Sequence, residues 1–147
     1  MYRVGDLPRH RESRIRSTCR LDPAVSVLQA AAHFEWTLSR TILGLGTSPN
    51  KLIRERLKYT SGLKKYCKLW RDEVGAPGLE VVVTTWNALE DAMDLRHKLI
   101  HGRAGTGRVY AEPRVDTLLR CAADVHAFAL RQGVELNKRL PVRRIRR

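Results

Sequence analysis

The sequence predicts an all-α protein, an antiparallel bundle of four to five helices. Three observations predict it. Apolar residues recur three and four positions apart through most of the chain. Asp-Pro and Glu-Pro pairs, together with glycine-containing breaks, divide that pattern into four segments with short connections. Finally, 43% of the 147 residues are hydrophobic, enough for one domain to bury a core. Segments of this kind joined by short links pack as antiparallel neighbours.

The first segment opens at Asp22-Pro23, where Asp serves as N-cap and Pro suits the first helical turn. Leu28, Ala31, Leu38, Ile42 and Leu45 follow near helical spacing, and Gly44 and Gly46 close the segment before Ser48-Pro49-Asn50. The second runs from about Asn50 to about Val74. Its stripe is Ile53, Leu57, Thr60, Leu63, Cys67 and Trp70, with Arg54, Lys58, Lys65 and Lys68 opposite. Gly62 weakens the case for one unbroken helix there. Gly75 to Gly78 makes the next break.

The third segment runs from about Leu79 to His101. Val82, Trp86, Leu89, Met93, Arg96 and Ile100 repeat at spacing 4-3-4-3-4, and Val81, Thr85, Ala88, Ala92, Leu95 and Leu99 form a row beside them. Its start, Val81 to Thr85, is β-branched, but the helical period that follows outweighs that weak preference. The fourth segment opens at Glu112-Pro113 and continues to about Leu140, where Pro141 stops it. Leu118, Ala122, Val125 and Ala129 form its inner row, and Gly133 marks a bend.

Charge is uneven. The chain carries 28 Lys and Arg against 15 Asp and Glu, a net +13. Residues 1–20 hold six Arg and two acids, and residues 138–147 hold six basic residues and no acid. Residues 51–71 add eight basic residues against Glu55. The organisation expected is a basic arm over 1–20, a bundle over 21–140 and a basic tail over 141–147. Such an excess suits a polyanion, nucleic acid first, with solvated flexible ends as the plainer alternative for the tails. No apolar run approaches the roughly 18 residues of a membrane span, so no membrane partner is expected. Cys19, Cys67 and Cys121 are odd in number and widely spaced, which argues against a disulfide framework or a zinc finger. A reducing, cytoplasmic compartment is the expectation.

The clue to function lies in the third segment. Arg96 occupies a core-facing position in an apolar row, where a permanent charge demands partners or a wet cleft. A polar row adjoins it: Glu90, Asp94, His97 and His101, within about 60° of one another on an ideal helix. Arg96 lies about 140° from His101. The two converge only if the helix ends or bends near Gly102, or if a second copy completes the site. Plainer readings stand beside this one. Asp94 and His97 also read as a solvated pair, and His101 as a cap suited to the negative end of a helix dipole. Glu35 sits among Ala, Phe and Trp and is placed either in the cleft, orienting Arg96, or on a partly exposed face.

The run Arg96-His97-Lys98-Leu99-Ile100-His101, followed by Gly102, resembles the motif of the HEPN superfamily, small helical-bundle domains found in many prokaryotic ribonucleases and toxins. Together with the four helical segments, the resemblance extends over roughly residues 22–140. The family usually has Asn or Asp after the arginine, where this chain has His97. Where toxins of the paired nucleotidyltransferase type often carry a tyrosine, this chain has Arg103. The resemblance implies cleavage of RNA without metal or other cofactor, by a homodimer whose twofold-related helix ends share a cleft. It implies Arg96 and His101 as the catalytic pair and a toxin or defence role, often beside an antitoxin or partner protein; the reading of the residues adds His97, Asp94 and Glu35 as support. Arg103 and Arg108, in and after the glycine-rich loop, and Lys65 and Lys68 are the residues expected to contact RNA, with an ordinary helix connection as the equal alternative for the loop.

Two rivals remain. His97 and His101, four apart, have the spacing of a zinc-binding helix, but Lys98 stands where a zinc protease needs its Glu. The other rival is a non-catalytic module that binds nucleic acid or a partner through its basic surfaces.

Overall fold

The computed structural model describes residues 7–102 and 105–145. Every regular element among them is helical: α1 (Pro8–Leu21), α2 (Pro23–Leu45), α3 (Asn50–Lys58), α4 (Leu63–Glu73), α5 (Leu79–Val82), α6 (Trp86–Ile100) and α7 (Arg108–Arg131). The chain divides into two units. The first draws on residues 1–34 and 87–120, the second on residues 35–86 and 121–147, so α2 and α7 contribute to both.

In the first unit, Ile15 and Cys19 of α1, Val27, Ala31 and Phe34 of α2, Leu89, Ala92 and Met93 of α6, and Val115 and Leu118 of α7 are buried. Residues 8–21 therefore do more than extend as a basic arm: they fold as α1, and Arg11 is buried along with Ile15 and Cys19. The Ser26 hydroxyl donates to the Ile15 carbonyl at 2.7 Å and ties α1 to α2. Asp22 caps α2 as its sequence implies, accepting from the Val25 N–H at 3.2 Å.

In the second unit, Leu38, Ile42, Ile53, Leu69, Trp70, Leu79 and Phe128 are among the buried side chains, and the Trp70 and Phe128 rings lie 5.5 Å apart. Glu73, only 4% exposed, organises the α2–α3 connection. Its carboxylate accepts from the Thr47 N–H (3.1 Å), the Ser48 N–H (3.0 Å) and the Ser48 hydroxyl (2.7 Å), with Arg56 at 3.5 Å. Burial alone would raise its pKa. The Ser48 and Thr47 bonds and the Arg56 charge outweigh that and hold the carboxyl below its usual range.

The C-terminal segment is tied down as far as Arg143. The Arg143 guanidinium donates to the carbonyls of Leu43 (2.7 Å) and Ser48 (3.0 Å), near the C-terminal end of α2. Its backbone N–H meets the Asn50 side-chain oxygen at 2.7 Å, and the Asn50 amide donates to the Pro141 carbonyl at 3.0 Å. Arg40 holds the Leu136 and Lys138 carbonyls at 2.6 Å each. Of the basic residues expected as a tail, Arg143 is thus part of the packed structure.

Four helix boundaries differ from expectation. The second segment breaks into α3 and α4 at Thr60–Gly62. The third breaks after α5: Val83 is extended and buried, and the Asp124 carboxylate accepts from the Thr84 N–H (3.2 Å) and hydroxyl (2.9 Å). Here the β-branched run prevails, because Asp124 satisfies the backbone that leaves the helix. The fourth begins at Arg108 rather than at Glu112-Pro113, and carries Pro113 inside it. It also stops at Arg131, not at Leu140. Gly133 has φ +84°, the Val134 N–H reaches back to the Ala129 carbonyl (2.9 Å) and the Gly133 N–H to Leu130 (2.9 Å). That is a Schellman termination, sealed by Val134 packing with Ala129 and Leu136.

Candidate active site at the end of helix α6

Helix α6 buries Leu89, Ala92, Met93 and Leu95, while Asn87, Glu90, Asp91, Asp94, His97 and Lys98 face solvent. Arg96 is half-buried and lies on the inner side with Leu89 and Met93, as its row implies. Ile100, expected in the same row, is 52% exposed, because the inner face runs out in the last turn.

The helix does not bend before Gly102. The His101 N–H reaches the His97 carbonyl at 3.2 Å, so His101 continues the helical path, and Gly102 then turns the chain at φ +64°. His97 and His101 are therefore neighbours on the outer face. Their ring centroids lie 4.4 Å apart at 60°, and both residues are exposed. No bend in the helix brings Arg96 and His101 together. Asp94 pairs with Lys98 at 2.9 Å, not with His97, and with that hydrogen bond it raises the Lys98 pKa.

Glu35 is half-buried on α2 and belongs to the second unit. Lys65 and Lys68 are exposed on α4, also in the second unit, where they edge a hollow of about 350 Å³ with Arg56 and Tyr59. Arg103 lies outside the described residues. Arg108 is exposed at the start of α7 and pairs with Glu112 at 3.3 Å. Among the described residues, no three His, Cys, Asp or Glu side chains are grouped to hold a metal ion. None of the described helices is long and apolar enough to cross a membrane.

The structure also adds residues that the sequence reading passed over. Between α1 and the start of α7 runs a groove of about 500 Å³, walled by Arg9, Arg16 and Arg20 on one side and Arg108 on the other. Its signal was present: Arg9, Ser13, Arg16 and Arg20 repeat at spacing 4-3-4. Nearby on α7, the Arg114 guanidinium lies 3.5 Å from the Tyr110 ring centroid and pairs with Asp91 of α6 at 3.1 Å.

No protein-family model, curated protein or solved structure matches this chain.

Proposed function

We propose that this protein is a metal-independent endoribonuclease of the HEPN type, working as a homodimer, with α6 as the helix that carries the reaction. The supporting observation is the end of α6. Two exposed imidazoles, His97 and His101, stand side by side at a helix terminus, and an arginine, Arg96, sits on the inner row of the same turn.

The chemistry needs few groups. An imidazole takes and returns protons near neutrality. His101 removes the proton from a ribose 2′-OH, and O2′ attacks the adjacent phosphorus. The bond to O5′ breaks, and O5′ leaves with a proton supplied by an imidazole of the cleft. The products are a 2′,3′-cyclic phosphate and a 5′-hydroxyl. Arg96 holds two phosphate oxygens as charge builds on them. His97 supports His101 through the ring contact. Because Arg96 and His101 point to different sides of one straight helix, the Arg96 that serves a given His101 comes from the second copy. In this reading the helices form an antiparallel HEPN-type bundle, and the role is that of a toxin or defence effector with a protein partner.

Cleavage of mixed RNAs in the presence of EDTA tests the proposal. His101→Ala should lower the rate by about 10²-fold, the scale of a lost acid–base group. Arg96→Ala should do the same, and Arg96→Lys should not restore it, since Lys lacks the planar fork. The exposed basic side chains of α3 and α4 favour a second reading, a module that binds nucleic acid without cutting it. Retained RNA binding with no cleavage by the wild type would favour that reading.

A further inference from the structure

We infer that the groove between α1 and the first turns of α7 is where an RNA strand lays its phosphate backbone. The inference builds on the nuclease reading by giving the substrate a course along the unit that carries α6.

The argument begins with periodicity. On an ideal helix Arg9, Ser13, Arg16 and Arg20 fall within about 60° of one another and spread over about 16 Å of axis. They form a straight row of three guanidinium groups and a hydroxyl, a shape that tracks a linear polyanion. Arg108 of α7 faces that row across the groove. The floor includes Cys19 and Val115, which are 3% and 1% exposed, so the charges sit on an apolar base.

The second strand of the argument is what the fold leaves unused. Arg9 and Arg20 are exposed and make no ion pair with any described residue. Arg16 pairs with Asp116 at 3.1 Å and Arg108 with Glu112 at 3.3 Å, both across exposed contacts. Exposed pairs of this kind hold weakly, so a phosphate competes for the same guanidinium. Glu12 and Glu112 also line the groove, so its pull is that of a guided track and not of a uniform positive field. Ser13 and Ser17 supply hydroxyls for phosphate or ribose oxygens. Guanidinium groups in a line read phosphates without reading bases, so the contact gives affinity and register, not sequence preference.

The test uses the full chain and a fluorescein-labelled 2′-O-methyl oligouridylate, which lacks the 2′-OH nucleophile, so anisotropy reads binding alone. Arg9→Gln/Arg20→Gln, at two exposed positions, should weaken binding about tenfold. It should also flatten the plot of log affinity against log salt by about 1.4, since each lost single-strand phosphate contact removes about 0.7. Arg108→Gln, on the opposite wall, should weaken binding in the same direction. Circular dichroism confirms that the variants fold. Unchanged affinity and slope in both groove variants, with the loss appearing instead in Lys65→Gln/Lys68→Gln, would overturn the assignment. So would polyglutamate binding as tightly as the oligonucleotide and failing in the same variants, because the groove would then be a dock for an acidic protein. Cleavage of unmodified RNA is scored separately: groove binding without any cleavage would sink the nuclease reading and leave this one standing.

Discussion

Replacing Glu73 by Gln removes one charge from a nearly closed site and leaves its shape almost unchanged. The carboxylate accepts three short hydrogen bonds, from the Thr47 N–H at 3.1 Å, the Ser48 N–H at 3.0 Å and the Ser48 hydroxyl at 2.7 Å, and a fourth, longer one from the Thr47 hydroxyl at 3.5 Å. A bond to a charged group contributes about 1.5–3 kcal/mol and a neutral one about 0.5–1.5 kcal/mol, so about 1 kcal/mol is lost per short bond and about 3 kcal/mol in all. At about 2–4 °C per kcal/mol for a chain of this size, Tm should fall by about 6–12 °C at neutral pH. The sign with pH follows from the depressed carboxyl. An unfolded Glu titrates near 4.3, and the folded one lower, so the charge stabilises fully above the unfolded value. That stabilisation is lost as pH falls through the folded value. Thermal melts followed by circular dichroism at neutral and acidic pH check this: the wild-type and Glu73→Gln curves should separate at neutral pH and converge in acid. A Tm difference under about 1 °C at neutral pH, or one that persists undiminished in acid, would refute the reasoning.

Two further outcomes follow from the same geometry. Arg143→Ala deletes the donors to the Leu43 and Ser48 carbonyls and should destabilise the fold by about 2 kcal/mol. The exposed neighbour Arg144→Ala should cost less than about 0.5 kcal/mol in the same melts. Mixing Arg96→Ala with His101→Ala protein should regenerate cleavage that neither variant shows alone, because a mixed dimer retains one Arg96 and one His101 in a shared cleft. Activity in the mixture no higher than in either variant would contradict the shared cleft.

Much of the helical content was legible because burial imposes a period. The limits of α2 follow from Asp22-Pro23 and the glycines after Leu43. The inner residues Leu89, Ala92 and Met93 of α6 and Leu118, Ala122, Val125 and Ala129 of α7 lie where the pattern puts them. The breaks were less legible, since they depend on partners far away in sequence. Asp124 sits 40 residues from Thr84, and its bonds are what end the helical path at Val83. The basic composition of the N-terminal region did not disclose α1, in which Ile15 and Cys19 are buried along with Arg11. Arg143 shows the same thing at the other end, since a run of basic residues does not reveal that one of them caps α2. At the candidate site, the inner place of Arg96 and the outer place of His97 and His101 follow from helical angles alone. The partnership of Asp94 with Lys98 instead of His97 was a choice among near neighbours that spacing leaves open.

The chemical ends of the RNA fragments test the central claim most directly. Purified protein is incubated with RNA in EDTA, and the new termini are identified by mass spectrometry. The same RNA carrying a 2′-O-methyl ribose at each mapped cut serves as the control. The account predicts 2′,3′-cyclic phosphate and 5′-hydroxyl ends, no cut at the methylated riboses, and loss of both products in His101→Ala. Fragments bearing 5′-phosphate and 3′-hydroxyl ends, cleavage at the methylated riboses, or undiminished cleavage by His101→Ala would contradict it.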